Sequence, residues 1–89
     1  MKLISLITTE VNLDSLSRIC QHDDAILLRQ DAVYLCLSPH LSWPVKKLYA
    51  LQTDLTVRQL QQPDGITAVS AQQWVELCSK ATQNILWQK

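Results

Sequence analysis

Residues 25–28 read Ala-Ile-Leu-Leu, and the next five residues read Arg-Gln-Asp-Ala-Val. Four consecutive apolar residues without polar alternation are typical of a strand that is covered on both faces, as inner strands of parallel sheets are. Asp31 follows at a position that could cap a short helix through residue 37, although residues 33–37 would equally suit a strand. The stretch therefore predicts a central parallel strand and leaves the structure of the next segment open.

Strand-like segments recur on both sides of this run. Residues 2–8, 45–51 and 66–69 are rich in aliphatic side chains and predict three more strands, and residues 84–87 could add one at an edge. The segments between them contain the turn-forming residues Pro, Asp and Gly, as at residues 63–65.

Helix signals lie between these strands. Asn12 is a suitable N-cap for a first helix, and Thr53 for a short second helix in which Asp54 and Arg58 stand one turn apart and can pair. Residues 70–73 form the capping-box pattern Ser-x-x-Gln at the start of a last helix. The apolar stripe of that helix is predicted to comprise Ala71, Trp74, Val75, Cys78 and Ala81.

Strands that alternate with helices predict a single α/β domain over residues 1–89. The expected architecture is a small three-layer domain, in which helices flank a mainly parallel sheet of four or five strands.

The composition excludes several classes of protein. With 47% hydrophobic residues, one Gly and three Pro, the 89-residue chain is too aliphatic for a disordered one. It contains no apolar run near the roughly 20 residues that cross a bilayer, and no secretion signal is visible. Eight basic and eight acidic residues give a formal net charge of zero. Phosphate neutralisation needs a basic surface, so we expect no direct binding of nucleic acid and no membrane attachment.

The cysteines favour a reducing compartment. There are three, at positions 20, 36 and 78, and none forms a Cys-x-x-Cys pair. An odd number without a secretion signal favours the cytoplasm over a disulfide framework. The spacing of the Cys and His residues predicts no metal site, and no cofactor is implied.

Three segments carry a resemblance to a known family. Residues 25–33 are similar to a family segment in which a strand is followed by a Gln-Asp-Gly-Val turn. Residues 48–58 are similar to a Tyr-x-Leu-x-x-Asp-Leu-x-x-Arg segment. Residues 71–77 and Trp87 are similar to the family's last helix and terminal Trp. In this order and spacing, the chain resembles the TusB/DsrH-like subunits of bacterial sulfur-relay complexes. It departs from their pattern where Ala32 and Gln59 replace glycines, and where residues 4–12 lack the family's His and Ser-Pro. The two replaced glycines suggest slightly different turns rather than a different fold.

The resemblance implies a fold of the DsrE/F/H type and a function. Such chains assemble with homologous TusC/DsrF-like and TusD/DsrE-like subunits and exchange sulfur, as protein persulfide, with upstream and downstream carriers. Many of these relays end in 2-thiolation of the tRNA wobble uridine, whereas others serve dissimilatory sulfur oxidation. The chain would then be a cytoplasmic sulfur carrier or structural subunit rather than a self-standing enzyme.

Cys20 is the first candidate for a persulfide carrier. It lies near the end of the first predicted helix, in a context similar to the Ser-Leu-x-x-Cys of some DsrH-like relatives, and His22 could supply a nearby cation. A helix C-terminus disfavours a thiolate, however, and Cys20 could instead complete the apolar stripe of that helix. We expect Cys36 and Cys78 to be packing residues, since free Cys is among the most buried residue types.

Three residues are candidates for subunit interfaces. Trp43 and Trp87 lie outside the predicted core positions, and Trp is enriched at protein interfaces. Arg58 could either pair with Asp54 within the chain or reach a partner subunit.

Overall fold

One sheet of five parallel strands organises the residues that the computed structural model describes, which are 1–9, 12–21, 23–37, 43–61 and 65–87. Their order across the sheet is β4-β3-β2-β1-β5. The strand bounds are Lys2–Leu6 (β1), Ala25–Leu28 (β2), Lys47–Leu51 (β3), Thr67–Val69 (β4) and Gln83–Trp87 (β5). The predicted central strand is confirmed, because β2 lies in the middle of the sheet and all four of its residues are buried. The predicted α/β class with a parallel sheet is also confirmed.

The described parts of the connections between these strands contain four helical segments. They are α1 (Leu13–Ile19), a 3₁₀ helix (Gln30–Leu37), α2 (Gln52–Val57) and α3 (Ala71–Lys80). The segment after β2, which the sequence left open between helix and strand, is therefore the 3₁₀ helix. Among the described residues, no helix is long and apolar enough to cross a bilayer.

The helices are divided unequally between the two faces of the sheet. Crossovers between parallel strands are right-handed, and β1 to β4 follow one another in the same direction. Their connections therefore pack on one face, where Leu16 of α1, Val33 of the 3₁₀ helix and Leu55 of α2 share one buried cluster. The return from β4 to β5 runs in the opposite direction, so α3 packs on the other face, where it is the sole helix among the described residues. We call these the three-helix face and the α3 face.

Local capping signals predict two helix starts correctly and one incorrectly. The Asn12 side chain accepts hydrogen bonds from the backbone of α1, and Ser70 and Gln73 form the reciprocal capping box of α3. Thr53 is not a cap, because β3 runs into α2 without an intervening residue and Leu51 takes the N-cap position. The sequence also predicts a loop over residues 38–44 and a turn over residues 63–65, and residues 38–42 and 63–64 of these lie outside the described residues.

The predicted apolar stripe of α3 needs two corrections, because Ala71 and Val75 are both exposed. Trp74, Leu77, Cys78 and Ala81 pack towards the sheet, whereas Val75 is 61% exposed. Positions i, i+3, i+4 and i+7 share one side of a helix, and this set places Val75 about 100° away from Trp74. None of the residues of α3 is fully buried, so this helix covers its face of the sheet only superficially.

The residue that follows the C-cap of α2 has a left-handed backbone conformation, which Gly favours, but this residue is Gln59. Gln59 adopts a positive φ of 56°. The N–H of Gln59 donates to the Thr56 carbonyl, and the N–H of Leu60 donates to the Leu55 carbonyl at 2.8 Å. This is the Schellman arrangement, in which the residue after the helix is left-handed and usually Gly. The family's Gly position is thus occupied by a residue that adopts the left-handed backbone itself.

Candidate functional site

Cys20 caps the C-terminus of α1. Its backbone N–H donates to the Leu16 carbonyl at 3.2 Å, and its half-buried side chain packs against the core of the three-helix face. This position follows from the sequence, because the polar residues after position 20 end the apolar stripe of α1. His22, the cation expected beside it, lies outside the described residues.

Asp24 lies close to this thiol and is almost completely buried, at 2% exposure. Its carboxylate accepts hydrogen bonds from the backbone N–H of Lys2 at 2.9 Å and of Gln21 at 2.8 Å. The Lys2 ammonium lies 3.5 Å from Asp24 Oδ2 and also donates to the Ile19 carbonyl. Burial would raise the pKa of Asp24, but the two N–H donors and the Lys2 charge outweigh it and lower that pKa. Asp24 is therefore a buried carboxylate that stays ionised.

The charges around Cys20 determine its chemistry. Burial raises the pKa of the Cys20 thiol, the Asp24 carboxylate raises it further, and the Lys2 ammonium opposes both. The negative end of the α1 dipole acts in the same direction as Asp24. Reactive cysteines have electropositive surroundings that lower the thiol pKa. The surroundings of Cys20 hold the group in its protonated, weakly nucleophilic form at neutral pH.

The other two cysteines are also free thiols that pack partly into the core. Cys36 contacts the core of the three-helix face, and burial raises the pKa of its thiol. Cys78 faces the sheet from α3. Both positions agree with the expected packing role.

Arg58 is the centre of a second polar cluster, at the carboxyl ends of β2 and β3. Its guanidinium lies 3.4 Å from Asp54, which confirms the predicted pair one turn apart, and 3.0 Å from Asp31. The second oxygen of Asp54 accepts the backbone N–H of Gln30 at 2.9 Å. Tyr34 lies beneath the guanidinium, whose carbon is 5.8 Å from the ring centroid.

This cluster joins the start of the 3₁₀ helix to the end of α2. The hydrogen bond to Asp31 is the main reason why the pKa of Arg58 is raised, so the cation is permanent. Spacing along one helix could predict the Asp54 contact. The Asp31 contact spans 27 residues and depends on the adjacency of β2 and β3, which the sequence did not establish.

The three tryptophans are all half-buried. Trp43 and Trp87 pack against the core of the three-helix face, and the interface role that the sequence suggests for them and for Arg58 stays a prediction. Trp74 stacks under the Arg29 guanidinium, whose carbon lies 4.2 Å from the ring centroid. Among the described side chains, Arg29 Nε and Trp74 Nε1 are buried without a hydrogen-bond partner. The stack attaches α3 to the end of β2.

The sequence matches the model of a known protein family. Residues 8–84 match the family model described as DsrH like protein. The match covers most of the chain, including β2, β3, β4 and the first two residues of β5, and it begins after the end of β1. No curated protein matches the chain.

Proposed function

Because this chain belongs to the DsrH-like family, which supplies subunits of sulfur-relay complexes, we propose that it serves a relay for tRNA thiolation as an assembly subunit. In this proposal the chain joins TusC/DsrF-like and TusD/DsrE-like subunits in the cytoplasm. The complex passes persulfide sulfur towards 2-thiolation of the wobble uridine. The chain completes the complex, and the sulfur is carried by a homologous subunit.

The observation that carries this proposal is the environment of Cys20. In a persulfide transfer, an acceptor thiolate attacks the terminal sulfur of the donor persulfide. The donor S–S bond breaks and the donor cysteine leaves as a thiolate, so the step needs no external oxidant or reductant. The rate of this attack depends on the fraction of the acceptor thiol that is ionised. Burial and the Asp24 carboxylate both oppose ionisation of Cys20, which supports the assembly role over the carrier role.

The alternative is a carrier role for Cys20 itself. The Lys2 ammonium favours it, because this cation lies close enough to stabilise a thiolate. A third reading places the complex in dissimilatory sulfur oxidation, where the same transfer chemistry would deliver sulfur to a different acceptor.

A Cys20→Ser variant distinguishes the assembly hypothesis from the carrier hypothesis. We expect a cell that expresses this variant in place of the wild-type chain to keep an unchanged 2-thiouridine content in its tRNA. Cys36→Ser is the matched control, since Cys36 is a half-buried thiol with a raised pKa that no reading makes a carrier. A loss of 2-thiouridine with Cys20→Ser alone would identify Cys20 as a carrier. Unchanged 2-thiouridine after complete removal of the chain would exclude the tRNA pathway.

A further inference from the structure

Three large apolar side chains are exposed on the 3₁₀ helix and α2, two elements that both pack on the three-helix face. Tyr34 is 41% exposed, Leu37 63% and Val57 70%. A 3₁₀ helix has about three residues per turn, so Tyr34 and Leu37 lie one above the other on the same side of it. Val57 is the last residue of α2 and precedes Arg58, which lies over the Tyr34 ring. We call these three residues the Tyr34 surface.

The fold does not need these side chains for its own core. Val33, beside Tyr34 in the sequence, is completely buried, and so is Leu55 of α2. The same elements therefore supply one set of residues to the core and present a second apolar set to solvent. Contiguous exposed apolar residues bordered by polar ones are typical of protein interaction sites.

The border of the Tyr34 surface is acidic. Two carboxylates, Asp31 and Asp54, share the single guanidinium of Arg58, which leaves an excess of one negative charge. The Asp31 side chain is 68% exposed, whereas those of Asp54 and Arg58 are 18% and 19% exposed. The charge that an approaching protein meets is therefore that of Asp31. Lys or Arg on the partner would complement it.

We infer that the Tyr34 surface is where this chain docks a sister subunit of the relay, through an apolar patch of that subunit bordered by Lys or Arg. The inference rests on the proposed function, since it names the surface by which the assembly role is carried out. It also assigns Arg58 a role within the chain, which is to hold Asp31 at the border.

Lysine substitutions on the two faces test this assignment. We expect Leu37→Lys and Val57→Lys to weaken binding to the co-expressed DsrE-like and DsrF-like subunits about tenfold or more, as truncation of a central interface residue does. Val75→Lys and Leu86→Lys are the matched controls. Both side chains are comparably exposed, at 61% and 50%, but they belong to the α3 face, and we expect them to bind like the wild type. Thermal unfolding of each variant by circular dichroism shows whether it is folded.

Each result separates this inference from the proposed function. If the wild-type chain binds neither subunit, the assembly role itself fails. If the wild type binds and the Leu37 and Val57 variants bind equally well, the Tyr34 surface is not the docking site. If instead these two variants abolish self-association of the isolated chain and leave sister-subunit binding intact, the surface binds a second copy and the assignment is wrong. Asp31→Lys should weaken binding at low salt more than at high salt, because salt screens exposed charges.

Discussion

A single carboxylate, that of Asp24, connects the start of β1 to the turn before β2 through hydrogen bonds. It accepts two backbone N–H groups and pairs with Lys2, all within a nearly solvent-free site. In the sequence, residues 23–24 look only like a break between a helix and a strand. The role of Asp24 is not predictable locally, because its main partner, Lys2, lies 22 residues away and is brought close only by the pairing of β1 with β2.

We expect Asp24→Asn to lower the free energy of unfolding at pH 7 by about 1–3 kcal/mol, because the amide cannot accept both backbone donors. The folded pKa of Asp24 is depressed, so its stabilisation is full above the unfolded pKa of about 4 and disappears as the pH falls through the folded value. Urea unfolding should therefore show a large difference from wild type at pH 7 and a smaller one at pH 3.

Asp23→Asn is the control for this measurement, since Asp23 is exposed and should change stability little. An equal difference between wild type and Asp24→Asn at both pH values would contradict the assigned role of the Asp24 charge.

Among the elements, most of those whose signals are local are predicted correctly, whereas those decided by neighbours are left open or need correction. The apolar run of β2, the Asn12 cap and the capping box of α3 each depend on a few adjacent residues. The 3₁₀ helix contains Val and Tyr, which also favour strands, and its conformation follows from packing of Val33 and Leu35 on the sheet. The inner side of α3 is set by Trp74, Leu77, Cys78 and Ala81, which pack on the sheet, and the stack of Trp74 with Arg29 adds a contact that no spacing within α3 predicts.

The left-handed residue at the end of α2, Gln59, leads to a prediction about stability. We expect Gln59→Gly to stabilise the protein by about 0.5–1 kcal/mol. The left-handed conformation costs a non-glycine residue roughly 1–2 kcal/mol, and the greater freedom of Gly in the unfolded chain offsets part of the gain. Thermal or urea unfolding measures the difference.

Gln61→Gly provides the comparison, since Gln61 is exposed and has no positive φ. It should be neutral or slightly destabilising. A stabilisation of the same size at both positions would show that relief of the Gln59 backbone is not its cause.

At the scale of the whole molecule, the sequence predicts alternating strands and helices but neither the strand order nor the unequal division of helices between the faces. Right-handed crossovers determine that division once the position of β5 beside β1 is known. The unequal division of helices between the two faces supports the assembly role proposed for the chain. The three-helix face combines a filled core with exposed apolar residues at an acidic border, while the three thiols are half-buried and two have a raised pKa.

We propose that this chain assembles the relay and does not carry its sulfur. The most direct measurement is mass spectrometry of the purified complex after it has been loaded with persulfide sulfur, with the mass of each subunit determined separately. We expect this chain to be recovered in the complex at its unmodified mass, while a sister subunit gains the mass of a sulfur atom. Recovery of the sulfur on this chain, or of the chain alone without partners, would contradict it.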